Sequence, residues 1–511
     1  MGNDEVQELE HNITGDTVEV TVKEPIFEKV RLGERLSYAF TNTGQTMIYG
    51  LFGFLMLFMT DYLYIDAAVA GLVIALTRIY DAINDPIMGQ IVDKTKTKWG
   101  KCRPYMLFTP IPVAIFAMLL FMPTGLEGGS AVAYVTVMYV LFTMVYTAND
   151  IPYWGMSAVI TRDPKQRTEI VTLTRLIGGI GSGLAVGGFW IVNKLFANSM
   201  DKNLSFFCSV SVFCVLGAIV MLQGFFFTKE RAFDTKQENV SFFSNFKLVP
   251  KAKPLVINII AGALFSVVMV GSNALTTYFV KWNMMKLFVG MESNDIMAIF
   301  TPAIGFLPAV ASVIGLLIAP LLIKKFEKRT VMIAFLSFGV IVNVISYFVG
   351  WYNFWLFLVL RFFSFLPLGV FSAITTLFIG DSVDYIEYKT GRRVEGTCFS
   401  ILTFMGKFQN SISVAITGLI LSVVGYNGNL DPDIMNQSDK TLEGIFFMVT
   451  IVSAIGMVLT IIPLIFYDLD RKTHQMMYTE NMRRREETLT KPEEESTEIA
   501  VENVLKDEFF E

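Results

Sequence analysis

The sequence predicts an all-α integral membrane protein with twelve transmembrane helices in two six-helix halves. Composition comes first: of 511 residues 53% are hydrophobic and 17% charged, with mean hydropathy +0.52, too apolar for a soluble enzyme with a wetted surface. Second, apolar windows of about 20 residues, the length that crosses a bilayer, recur along the chain. They fall near 37–59, 66–91, 104–123, 131–158, 169–194, 204–227, 254–280, 297–322, 330–349, 353–380, 396–425 and 443–467. Third, the polar stretch 229–253 separates the sixth window from the seventh. The expected organisation is therefore an N-terminal segment 1–36, a bundle 37–228, a central loop 229–253, a second bundle 254–467 and a tail 468–511.

Charge placement sets the expected orientation. The acids that give a net charge of −5 cluster in 3–10 and 486–511, so the total does not point to a nucleic acid or any other charged partner. With the N-terminus inside, the short inner loops hold Lys94, Lys96, Lys98, Lys101, Arg103, Arg162, Lys165, Arg167, Lys324, Lys325, Lys328, Arg329, Lys389, Arg392 and Arg393. The outer loops hold Lys194, Lys202, Lys281, Lys286 and Lys440. This asymmetry places both termini in the cytoplasm of a multi-pass protein of the cytoplasmic membrane. Residues 1–33 lack an apolar core, so no cleavable leader is expected.

Cys102, Cys208, Cys214 and Cys398 have no paired or metal-ligand spacing and read as free thiols. His11 and His474 lie in polar flanks, which removes imidazole as an intramembrane ligand. No enzymatic centre and no resident cofactor are expected. An echo between the halves, Arg167-Thr168-Glu169 before the fifth span and Arg393-Val394-Glu395 before the eleventh, supports duplication.

Function should reside in charges that lipid rejects, at roughly 3 kcal/mol for each one near a helix centre. These are Arg78, Asp81, Asp85, Asp150, Arg175, Arg361 and Lys407. On the second span, spacings of three and four put Arg78, Asp81 and Asp85 on one face with Asn84 beside them. Two carboxylates and an amide oxygen suit a small hard cation or a shared proton. Pro86 would release backbone carbonyls there. The structural alternative is that one acid neutralises Arg78.

On the fourth span Tyr146, Asp150 and Trp154 share a face. A carboxylate, a hydroxyl and a flat ring suit a sugar, whose hydroxyls donate and whose apolar side stacks. Arg175, and Lys407 with Thr403 one turn earlier, are candidates to orient the Asp150 carboxylate; the alternative is a purely structural Asp150–Arg175 pair. Gly89, Asp93 and Lys94 form a candidate latch with Trp99-Gly100-Lys101, and Asp381, Asp384 and Arg393 are its counterparts after the tenth span.

The runs Asp81-Ala82-Ile83-Asn84-Asp85-Pro86-Ile87-Met88-Gly89, Trp99-Gly100-Lys101, Asp150-Ile151-Pro152-Tyr153-Trp154 and Asp381-Ser382-Val383-Asp384-Tyr385 occur in one register. From about residue 35 to 467 the chain resembles the glycoside-pentoside-hexuronide:cation symporters, the melibiose permease-like family of the major facilitator superfamily. That resemblance implies alternating access, a cation site of Asp81, Asn84, Asp85 and Thr147 for Na⁺, Li⁺ or H⁺, and a sugar site including Asp150, Trp154, Arg175 and Lys407. Where galactoside carriers of that family place an acid on the first span, Thr46 follows Gly44-Gln45 here, so Asn42, Gln45 and Thr46 offer neutral hydrogen bonds instead. Two other functions fit the same sequence: a lipid or lysolipid carrier, and a membrane sensor that binds without flux.

Overall fold

The computed structural model describes residues 29–161, 163–231, 250, 252–270, 274–288, 290–351, 353–391 and 395–484. Twelve helical segments follow one another among them. We number them α1 (Leu32–Asp61), α2 (Ala67–Lys94), α3 (Arg103–Phe108 and Pro110–Leu120), α4 (Gly128–Val159), α5 (Pro164–Ala197) and α6 (Lys202–Phe227). The second half comprises α7 (Lys253–Val270 and 274–287), α8 (Ser293–Ile323), α9 (Lys328–Val349), α10 (Phe354–Thr390), α11 (Glu395–Val423) and α12 (Asp439–Ile465). Eight of the described helices are long and apolar enough to cross a membrane by themselves, and shorter apolar runs lie in α3, α7 and α8.

Most segments outrun the apolar windows, because the helix continues as long as its backbone bonds are made, whatever side chains face water. Thus α10 runs past Asp381 and Asp384 to Thr390 and stops where Gly391 takes φ 68° and its N–H bonds the Glu387 carbonyl. Asp66 caps α2, accepting from the Ala68 and Val69 N–H groups. α2 also passes through Pro86 without interruption, so the proline withdraws one intrahelical bond rather than unwinding a turn.

The packing is duplicated. α1 lies against α5 and α6, and α7 against α11 and α12; α2 meets α4 as α8 meets α10, and α3 meets α4 and α6 as α9 meets α10 and α12. Each of these pairs maps onto its counterpart by adding six. Two further pairs, α2 with α11 and α5 with α8, join the halves and exchange under the same operation. Their backbones come close: a Cβ on Gly418 of α11 would run into the Ala67 carbonyl of α2, and one on Gly71 would stand 3.0 Å from the Val414 carbonyl.

Candidate functional site

α2 presents its charged face to α4 and α11. Asp81 is buried and accepts a 2.9 Å hydrogen bond from the Thr147 hydroxyl of α4. Its second oxygen lies 2.8 Å from the Lys407 ammonium of α11, which also bonds Asp85. With both acids ionised, two carboxylates against one ammonium leave one negative charge uncompensated. Asn84, one position before Asp85, is half-buried. The Arg78 guanidinium makes no ion pair with these acids: it donates to the Tyr49 hydroxyl of α1 and lies 4.9 Å from that ring's centroid.

Beside this cluster stands the polar face of α4. Asp150 accepts from the Gln45 amide of α1 at 2.6 Å, and Asn42 donates to Gln45 at 3.3 Å. Tyr146, one turn earlier, stacks on Tyr49 and Phe142 at 5.2 and 5.5 Å. Trp154, one turn later, meets Tyr153 edge-on. Tyr153 is stapled to α1, since Tyr38 and Tyr153 stack at 4.7 Å and each hydroxyl donates to the other residue's carbonyl, at 2.7 and 2.8 Å. The acid and the two aromatics thus sit on a braced helix, and Thr147 ties that helix to Asp81.

Several expected partnerships are redrawn. Lys407 bonds Asp81 and Asp85 and makes no ion pair with Asp150, because α11 packs along α2. Arg175 is exposed and makes no ion pair with Asp150, so the structural Asp150–Arg175 pair is absent. The Thr46 hydroxyl is committed to backbone, 2.9 Å from the Asn42 carbonyl and 2.5 Å from that of Gly178 on α5, where it helps hold α1 to α5. Arg361 is buried inside the second half, donating to the Val449 carbonyl of α12 at 2.9 Å and lying over Phe365. The side chains of Thr403, Asp93 and Arg393 lie outside the described residues.

In the last turns of α2, Gly89 has open space around it and Lys94 is exposed. The Trp99-Gly100-Lys101 run is held by Glu230, which follows α6: its carboxylate accepts from the Lys101, Cys102 and Arg103 N–H groups at 3.0, 2.7 and 2.8 Å. Gly100 has φ 110°, and a Cβ there would collide with that carboxylate. At the matching end of α10, Asp381 pairs with Lys328 at 2.6 Å and stands 3.4 Å from His474, whose ring is 3.0 Å from Asp384. His474 belongs to a helix over 471–484 that is fastened to α10 through the Asn481 amide on the Asp384 carbonyl, 2.9 Å.

One cluster escaped the sequence reading. Asp61, at the end of α1, is fully buried and ion-paired to Lys281 of α7. Tyr426 donates to both its oxygens at 2.7 and 2.8 Å, the Thr60 hydroxyl donates at 2.6 Å, and Thr60 in turn bonds Tyr278 at 2.8 Å. Ser422 reaches Asp66 at 3.4 Å, and Lys194 pairs with Asp295 at the same end. Hydrogen bonds and ion pairs between the halves gather at this end and at Lys407. The halves are sealed at the Asp61 end.

Two pseudo-symmetric bundles, buried acids bridged across their seam and one sealed end define a membrane carrier. A profile of the MFS/sugar transport protein family matches residues 37–471, and the chain belongs to that family. It is a transporter, not an enzyme. It is 28% identical to the isoprimeverose transporter of Lactiplantibacillus pentosus, over 87% of this chain and 90% of that one. It is 26% identical to YagG, a proposed glycoside/cation symporter of Escherichia coli (strain K12), over 84% of this chain and 91% of that one. The crystal structure of the nucleoside transporter NupG superposes with TM-score 0.59 at 17% identity, covering 84% of this chain and 99% of NupG, which supports the fold.

Proposed function

We propose that this chain is a secondary active transporter that couples a cation, Na⁺, Li⁺ or H⁺, to the movement of a sugar such as a glycoside, pentoside or hexuronide by alternating access. One observation carries the reading. The two acids of α2 are bonded at once to the lysine of the opposite half and to the helix that bears Asp150. Lys407 occupies the place a coupling ion would take between Asp81, Asn84, Asp85 and Thr147. An arriving cation competes with the ammonium and so loosens α11 from α2. The Thr147–Asp81 bond carries the same event into α4, where Asp150 accepts sugar hydroxyls, Tyr146 and Trp154 cover an apolar sugar face, and Gln45 and Arg175 donate. Linkage then requires sugar and cation to raise each other's affinity equally.

We place both termini in the cytoplasm of a cytoplasmic membrane, with working units 37–228 and 254–467. In that orientation the sealed Asp61 end is outside. Gly89, Asp93, Lys94, Asp381, Asp384 and Arg393 then lie at the inner ends of the moving helices as gating residues. The fit to sugar and cation rests on the donor set and on the functions of the two relatives.

The test is uptake of candidate sugars into sealed vesicles with an imposed potential, at varied Na⁺ and pH. One cation falling through about 150 mV releases roughly 3.5 kcal/mol, enough for about 350-fold accumulation of a neutral sugar. Asp81→Asn/Asp85→Asn should abolish accumulation while leaving downhill exchange. Asp150→Asn should weaken sugar binding by about 1.5–3 kcal/mol. Undiminished accumulation in the double variant would overturn the cation site, and normal sugar binding in Asp150→Asn would overturn the sugar site.

A further inference from the structure

α1 has a second face. Asn42, Gln45 and Tyr49 point to the site just described, and Tyr38 to α4. Leu36 and Phe40 each lie two positions, about 200° of helix, from Tyr38 and so leave on the opposite side. There, between the starting turns of α1 and the end of α6, is a groove of about 970 Å³. Its apolar wall is Leu36, Phe40 and Phe227, with Phe40 47% and Phe227 64% exposed. Ser37 and Gln223 lie at its polar floor and are bonded to each other, the Gln223 amide donating to the Ser37 carbonyl at 3.1 Å. Gly33, with nothing within 4 Å of where a Cβ would stand, keeps its mouth clear.

The charges in the groove do not cancel at its mouth. Glu34 is forked by Arg231, 2.8 Å to each oxygen, and also accepts the Lys229 N–H at 2.9 Å. Glu230 is turned away onto the three N–H groups that begin α3. What remains are Arg31 and Lys229, both exposed, and no ion pair to either is made among the described residues. The groove therefore offers two open cations beside an apolar wall, at the end of two membrane helices where headgroups lie. A volume near 970 Å³ exceeds what a bare phosphate fills.

We infer that this groove is a binding site for an anionic phospholipid, with the phosphate between Arg31 and Lys229 and an acyl chain along Leu36, Phe40 and Phe227. The inference needs only the membrane placement of the fold and stands apart from the sugar and cation sites. A headgroup seated here bridges the first helix to the last helix of the first half.

The full-length chain, delipidated in detergent, is titrated with dioleoylphosphatidylglycerol or dioleoylphosphatidylcholine while thermal unfolding is followed by tryptophan fluorescence, with glycerol 1-phosphate and inorganic phosphate as soluble arms. Phosphatidylglycerol should raise the midpoint saturably, at concentrations about tenfold below those phosphatidylcholine requires, and the soluble phosphates should leave it unmoved. R31Q/K229Q, and each single change in lesser measure, should erase the preference, while R31K/K229R keeps it. Equal response to both lipids, an unchanged preference in R31Q, K229Q and the double variant, or an equal response to inorganic phosphate would overturn the site. So would a preference that emerges only after residues 2–28 are deleted, since the acidic N-terminal segment would then be the occupant.

Discussion

Replacing Asp61 by Asn tests whether the seal holds this conformation. The carboxylate is fully buried and receives Lys281, both Tyr426 bonds and the Thr60 hydroxyl. The amide keeps the shape but leaves the Lys281 ammonium, whose side chain is 6% exposed, without a countercharge. Breaking a buried pair from one side costs about 3–5 kcal/mol. That cost falls only on the conformer in which α1 and α7 are closed together, because once the halves part Lys281 is wetted. Even the lower figure shifts the equilibrium more than 100-fold. Nitroxides at Val69 and Val423, exposed positions near this end of α2 and α11, report the gap by double electron–electron resonance on a background lacking the four native cysteines. A single short distance in the parent should gain a longer population in Asp61→Asn. Adding Lys281→Met removes the stranded charge and should restore the short one. Identical distributions in parent and single variant, or equal opening in single and double, would refute the electrostatic account of the seal.

Gly100→Ala should loosen the loop after α2, since it combines a strained φ, worth about 1–2 kcal/mol, with a collision that displaces Glu230 from its three N–H partners. Faster tryptic cleavage at Lys98 and Lys101 is the expected result, and an unchanged rate would show that Glu230 does not hold the loop. Lys96→Cys and Thr390→Cys, exposed positions at the Lys94 end of the fold, should resist an external impermeant thiol reagent in intact cells. Labelling of both from outside would reverse the proposed orientation.

The twelve segments were legible because bilayer thickness dictates the length of an apolar run. Their polar extensions were not, since a hydropathy window ends at the first charges while a helix ends at its cap, as α10 does at Gly391. The acid face of α2 could be read from spacing alone, being local to one helix. What Lys407 bonds could not, because its partner Asp85 lies 322 positions away and only the packing of α11 on α2 decides it. Asp61 was lost just beyond the edge of a window and Lys281 was counted as an outer-loop charge, so two ends of one buried pair looked like unrelated surface residues. The signal available was their chemistry: an acid after an unbroken apolar run, and a lysine between Val280 and Trp282.

The helices that carry the two partners in that seal contain turns of unequal pitch. α1 tightens to a 3₁₀ turn over Leu51–Phe54, whereas its counterpart α7 widens to a π turn over Phe279–Asn283, the turn that bears Lys281. A 3₁₀ turn advances the chain about 2.0 Å per residue, against about 1.5 Å in an α-helix, and a π turn advances it less. One helix is stretched and the other shortened near the same level of the fold, so the repeats slip out of step there like the scales of a vernier. Residues that stand at one level across this seam therefore need not be counterparts in sequence, and Asp61 can meet Lys281 without either residue recurring in the other half.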